Sequence, residues 1–138
     1  MPLFTVESTY LLPIYRHRNY EAANVAEACR LAVNDDDWSD NKEDRDSSGE
    51  THVTGVWKGR DSAYSAPPCP VPSQYHQTNS RKAEHFAEML FLLKQLPHHD
   101  EPSLRADLLA PIARAIAKGD AIQAGAADPV GQPVGVER

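Results

Sequence analysis

The sequence predicts an α+β fold: a small antiparallel or mixed β-sheet packed by one helix as a β-α-β module, followed by a C-terminal α-helical hairpin. Three observations carry that prediction. Apolar residues alternate from Phe4, a capped stretch with a helical apolar stripe begins at Val25, and the apolar period turns helical again after residue 78. The chain accordingly divides into a module over 1–60 with an acidic loop over 35–50, a proline-rich connector over 61–78, a hairpin over 79–125 and a disordered tail over 126–138.

The first strand region runs from Phe4 to Tyr20. Phe4, Val6, Tyr10, Leu12 and Ile14 occupy even positions with Thr5, Glu7 and Thr9 between them, the pattern of a half-buried strand. Pro13 lacks a ladder donor, so a bend or bulge divides this region into two pieces, the second carrying Tyr15 to Tyr20. Asn24 and Glu27 form a capping box for a helix that ends near Asn34, and Val25, Ala28, Cys29 and Ala32 make its apolar stripe, small enough to sit close to a sheet. Residues 35–49 read as a surface loop pinned by Trp38. The closing strand, Thr51 to Trp57, is rich in β-branched residues, and Gly55 marks a bulge or a close approach.

Pro67, Pro68, Pro70 and Pro72 exclude regular structure from the connector and favour extended backbone. In the hairpin, Ala83, Phe86, Ala87, Leu90, Leu93 and Leu96 make one apolar face until Pro97. Pro102 and Ser103 start a second helix, with Leu104, Leu108, Ile112, Ile116 and Ile122 running to about Ala124 and a kink expected at Pro111.

With 138 residues the chain can bury a core without metals or disulfides. Two cysteines, Cys29 and Cys69, make no disulfide framework, and neither a signal-peptide pattern nor a run of eighteen apolar residues is present, so a cytoplasmic protein without membrane contact is expected. The net charge of −6 is concentrated: 35–50 holds eight acidic residues against Lys42 and Arg45, and the remaining chain is balanced. That excess disfavours direct nucleic-acid binding and suits a protein partner with a basic surface.

Tyr20-Glu21-Ala22 ahead of the capped helix Ala26-Glu27-Ala28, closed by a later strand, resembles the small β-α-β proteins of the DpnD/PcfM-like kind found on bacterial phages and plasmids. Glu27-Ala28-Cys29-Arg30, Asp35-Asp36-Asp37-Trp38 and Val53-Thr54-Gly55-Val56-Trp57 are similar to segments of uncharacterised bacterial proteins of like length. The runs Met89-Leu90-Phe91-Leu92-Leu93-Lys94 and Ala113-Arg114-Ala115-Ile116-Ala117-Lys118 are similar to a helical hairpin of uncharacterised phage proteins. These resemblances imply an accessory protein of a mobile element and carry no activity.

Chemical motifs are lacking. Asp44, Asp46, Ser48 and Gly49 match the first half of a calcium loop, but Gly55 stands where its bidentate Glu belongs, so a solvated turn is expected. His76, His85, His98, His99 and Cys69 match no zinc spacing, and Cys29 reads as a small core side chain. No nucleophile elbow, phosphate loop or His-Glu-x-x-His pair occurs. Arg16, His17 and Arg18 form a basic cluster among aromatics, expected to pair with the acidic loop.

The expectation is therefore a non-catalytic interaction or regulatory protein with no catalytic residue, cofactor or metal ligand. Its partner would meet Asp35, Asp36, Asp37, Trp38 and Asp40, and self-association would use the hairpin. Two other readings compete: a nucleic-acid mimic that blocks a host defence protein, and a small enzyme using His17, His52 and the acidic residues.

Overall fold

The computed structural model describes residues 1–96 and 101–129. Within them the chain is α+β, in the order β1 (Phe4–Thr9), β2 (Ile14–Tyr15), α1 (Val25–Asn34), β3 (Lys42–Glu43), β4 (His52–Lys58), a 3-10 turn (Ser73–Tyr75), α2 (Thr78–Gln95) and α3 (Pro102–Gln123). Two compact units divide it: Met1–Thr9 with the chain from His52 onward, and Tyr10–Thr51.

In the first unit β1 and β4 pair antiparallel, with Thr5 opposite Trp57 and Val6 opposite Val56. The register slips between Glu7, opposite Gly55, and Ser8, opposite Val53, which leaves Thr54 as an extra residue. Gly55 is both things expected of it. It adjoins the bulge, and the Trp57 ring lies so close over it that a Cβ there would stand 2.2 Å from Trp57 Cη2.

The alternation in β1 is real, but the covered face is the opposite of the expected one. Thr5, Glu7 and Thr9 are half-buried, while Phe4 and Val6 remain 45% and 50% exposed. The cause is Trp57, 4% exposed, which lies across from Thr5 and stacks on Tyr64 with ring centroids 4.8 Å apart. The 60–66 turn closes over this face. Ser62 donates its N–H to Thr5 Oγ1, Thr5 donates to the Gly59 carbonyl at 2.8 Å, and the Tyr64 hydroxyl donates to Glu7. Tyr64 holds φ of 60° in this arrangement, a left-handed conformation sustained by its ring and hydroxyl contacts.

The connector is more ordered than its prolines suggest. Pro68 bridges Trp57, and Cys69 donates its N–H to the Val56 carbonyl at 2.7 Å, covering the far edge of β4. Proline is tolerated there because this is an edge position that needs few donors.

Both hairpin helices fall close to their expected bounds, and α3 continues through Pro111. The packing face differs from the expected stripe. Arg81 and His85 are the buried residues of α2, with Leu92 and Leu96 half-buried beside them, whereas Phe86 is 66% exposed and Leu93 59%. On α3, Leu108, Ile112, Ala115, Gly119 and Ile122 recede from solvent at alternating steps of four and three, the spacing of a packed helical seam. Polar anchoring selects this rotation. His85 Nε2 donates to the Ala115 carbonyl at 2.7 Å, and Gly119 leaves room for the ring.

Residues 126–129, expected to begin a disordered tail, are fastened. Arg81, 5% exposed, reaches the Ala126 carbonyl at 2.8 Å and Asp128 Oδ1 at 2.9 Å, and the Asp128 N–H donates to Ser73 Oγ. The remainder of that tail, and His98 and His99, lie outside the described residues.

The second unit holds β2, α1 and β3. The strand region expected to reach Tyr20 is two short pieces, and the break comes after Thr9, where the β4 ladder ends at His52, before Pro13 is reached. The acidic loop contains β3, paired with β2 through Ile14 opposite Glu43 and Tyr15 opposite Lys42. Asp44 N–H to the Pro13 carbonyl and Gly49 N–H to the Leu11 carbonyl extend the contact. The α1 cap forms as expected, with Glu27 N–H donating to Asn24 Oδ1 at 2.9 Å and Glu27 accepting from Ala23 N–H. Its stripe has no buried residue, and Cys29, expected in a core, is exposed.

Replacing Gly55 by Ala is expected to displace the Trp57 ring and cost about 1–3 kcal/mol, the range for overpacking a filled site. A fall in Tm with loss of the near-UV signal of Trp57 checks this.

Candidate functional site

The expected site residues Asp35, Asp36, Asp37, Trp38 and Asp40 follow α1 directly, and two arginines from residues 16–18 organise them. Arg16 acts as a distant C-cap. A helix end leaves carbonyls without intrahelical donors, and the Arg16 guanidinium donates to the carbonyls of Ala32 at 2.9 Å, Asp35 at 2.5 Å and Asp37. Its Cζ lies 4.0 Å from the centroid of the Trp38 ring, a cation–π contact that explains why the loop holds a tryptophan. Trp38 does pin the loop, by stacking on Arg16, and stays 47% exposed.

Arg18 gathers three carboxylates. Its nitrogens stand 2.8 Å from Asp35 Oδ2, 3.0 Å from Asp37 Oδ2 and 2.8 Å from Asp40 Oδ1. The Tyr20 hydroxyl donates to Asp35 Oδ2 at 2.8 Å, and the Asp37 N–H to Asp35 Oδ1 at 3.0 Å. These donors lower the Asp35 pKa from 3.8 to about 2, the Asp37 N–H contributing most, then Tyr20, then Arg18. Asp40 is lowered chiefly by Arg18, and Asp37 chiefly by Ser39 and then Arg18. Arg18 itself is raised, first by Asp40 and then by Asp35. Three of the carboxylates are thus tied to a single cation, and the segment keeps a net negative charge. Asp36 differs: it is exposed and has no hydrogen-bond or ion-pair partner among the described residues.

Along the α1 stripe runs an open groove of about 620 Å³, lined by residues 16–20 together with Val25, Ala28, Cys29 and Ala32. The small side chains expected to approach a sheet form one wall of it. His17 lies in the other wall, its ring 5.4 Å from that of Tyr15. Asp44 in the calcium-like stretch accepts from the Ser47 N–H, and no group of three or more His, Cys, Asp or Glu side chains is assembled for a metal among the described residues.

A surface that the expected acidic site leaves out lies on the helix pair. Phe86, Met89, Leu90, Phe91 and Leu93 of α2, with Leu109 and Ile116 of α3, are exposed. Between the helices an apolar hollow of about 240 Å³ is lined by Met89, Leu92, Leu93, Leu96, Ile112 and Ile116. Of these, Phe86, Leu90, Leu93 and Ile116 belong to the apolar stripes that the sequence predicts, whereas Met89, Phe91 and Leu109 fall outside them. The signal that could have turned them outward is Arg81 and His85, four residues apart on the neighbouring face and both in need of buried acceptors.

No helix among the described residues is long and apolar enough to cross a membrane. No family model, curated protein or solved structure matches the chain.

Because Asp35 is lowered on folding, its contribution to stability is complete above its ordinary 3.8 and is lost as the pH falls toward about 2. In Arg18→Gln, Asp40 is expected to return to the ordinary carboxylate range. Asp35 should rise only part of the way, since it keeps the Asp37 N–H and the Tyr20 hydroxyl. Carboxyl-carbon NMR titration of both variants checks the two shifts, and the acid transition of the second unit should begin at higher pH in the variant.

Proposed function

We propose that the chain is a small, non-catalytic protein-interaction or regulatory accessory protein of a mobile genetic element, acting in the cytoplasm. The observation that carries this reading is the exposed apolar face of the helix pair. Exposed apolar side chains gathered round a hollow, as Met89, Leu93 and Ile116 are, suit a docking site. A hollow between two helices lined by Met89, Leu93 and Ile116 suits the apolar side of an amphipathic partner helix, whose anchors recur every three or four residues. The acidic segment supplies a second contact. Asp36 and the rim of Asp37 and Asp40 favour a partner with a basic surface, mainly by speeding encounter, since rim charges act on association rate more than on affinity.

Nucleic-acid mimicry has less support, because a mimic needs open carboxylates in place of phosphates and Arg18 takes three of them. Self-association through the same helix face is the second reading. It is favoured by Phe86, Met89, Leu93 and Leu96, which step by three, four and three along α2 and form a seam beside the one already used.

The test is capture of partners from host lysate by the tagged chain, with and without nuclease. Phe86→Glu with Leu93→Glu is expected to abolish capture of a nuclease-resistant protein. Asp36→Asn with Asp37→Asn should leave the complex formed but slow its assembly and flatten its salt dependence. Capture unchanged in the helix variant would overturn the reading.

A further inference from the structure

We propose that the outer edge of β1 is a self-association edge, at which β1 of a second copy pairs antiparallel about a two-fold axis through Val6. The parity of the ladder fixes which groups are offered. Gly59 N–H donates to the Leu3 carbonyl at 2.8 Å, so with the observed register Leu3 and Thr5 direct their backbone groups at β4. Phe4 and Val6 direct theirs away from it. Val56, opposite Val6, confirms the parity from the other side, because its outward carbonyl is the one that Cys69 N–H meets. Among the described residues β1 pairs with β4 alone.

The two edges of this small sheet are treated differently. The edge of β4 is covered by the Pro68–Cys69 segment, and the bulge lies in β4 at Thr54. The β1 edge lacks most of the devices that normally block pairing, its one charge, Glu7, being hydrogen-bonded by Tyr64 and Thr54. Phe-Thr-Val-Glu-Ser-Thr contains no Pro and no Lys, and no bulged residue lies within it.

The occupant follows from self-complementarity. With the axis through Val6, Val6 meets Val6, Phe4 meets Ser8 and Thr5 meets Glu7 of the second copy, so no like charges stand directly opposed. The outward groups of Phe4 and Val6 then find donors and acceptors of the same spacing. Phe4 and Val6 are exposed on the sheet face that also carries half-buried Val56, so pairing brings two such strips side by side into one apolar surface across four strands.

Sedimentation of the full chain over a range of concentrations tests this. The wild type is expected to form a reversible dimer. Val6→Pro removes an N–H that takes no part in the β1–β4 ladder, so the unit should keep its fold, as judged by the Trp57 indole N–H resonance. By symmetry it deletes two intermolecular hydrogen bonds, weakening the dimer at least about tenfold. Val6→Lys should weaken it likewise and decides the matter if Val6→Pro fails to fold. Phe86→Glu should leave the dimer intact. A wild type that stays monomeric, a dimer of unchanged affinity in the folded Val6 variants, or a dimer lost only in Phe86→Glu would overturn the proposal.

Discussion

The Arg18 guanidinium draws Asp35, Asp37 and Asp40 onto one cation, and the neighbouring Arg16 closes the end of α1 with the same kind of group. Together they explain how the most acidic segment of the chain can fold back on itself. Without these cations, three carboxylates within reach of one another would repel and the carbonyls at the helix end would need water. A planar guanidinium suits both tasks because its donors lie in a fixed fork that can satisfy several acceptors at once. Arg81 repeats the device in the other unit, where it ties the chain beyond α3 to the start of α2.

Polar anchoring has a consequence for the apolar side chains. Among the described residues, the buried hydrophobic side chains are Trp57, Leu108 and Ile122, while Phe4, Val6, Phe86, Leu90, Leu93 and Ile116 are substantially exposed. Each helix or strand has one rotation about its axis to settle. Arg81 and His85 can be buried in this rotation only because each finds acceptors, since a buried polar group left unpaired is costly. The acceptors at Ala115, Ala126 and Asp128 therefore support the rotation of α2. In β1 the same choice is made by the hydroxyl and carboxylate groups of Thr5 and Glu7, which bond into the turn that covers Trp57.

This contrast explains which parts of the structure were legible in the sequence. Signals that act locally were read correctly: Asn24 and Glu27 as a cap, Asn34 as the end of α1, Gly55 as a tight position, and the start of α3 at Pro102. The pairing of Arg16 and Arg18 with the acidic loop was also legible, because opposite charges so placed have few other outlets. Apolar periodicity marks a face of each element but does not say that the face is buried. Phe4 and Val6, Val25 and Cys29, and Phe86 and Leu93 are all correctly periodic and all exposed. The short β3 went unseen because Lys42–Glu43 carries no apolar pattern, and its strand character comes from pairing with Ile14–Tyr15.

Two open surfaces on one chain have different physical characters, and that difference bears on how they can cooperate. The helix face offers apolar side chains with their backbone already satisfied, so in the proposed role it would discriminate by shape and tolerate a partner of varied sequence. The β1 edge offers backbone donors and acceptors at fixed spacing, so it demands an extended segment of matching parity and is least costly to satisfy with its own twin. Pairing at β1 yields a dimer that carries two copies of the helix face. A partner with two suitable helices then meets the second site at an effective concentration set by their separation, and binding gains over a single site without any new contact. A partner with one helix would gain nothing from the proposed dimer, so the valence of the partner is the property that such an arrangement would select.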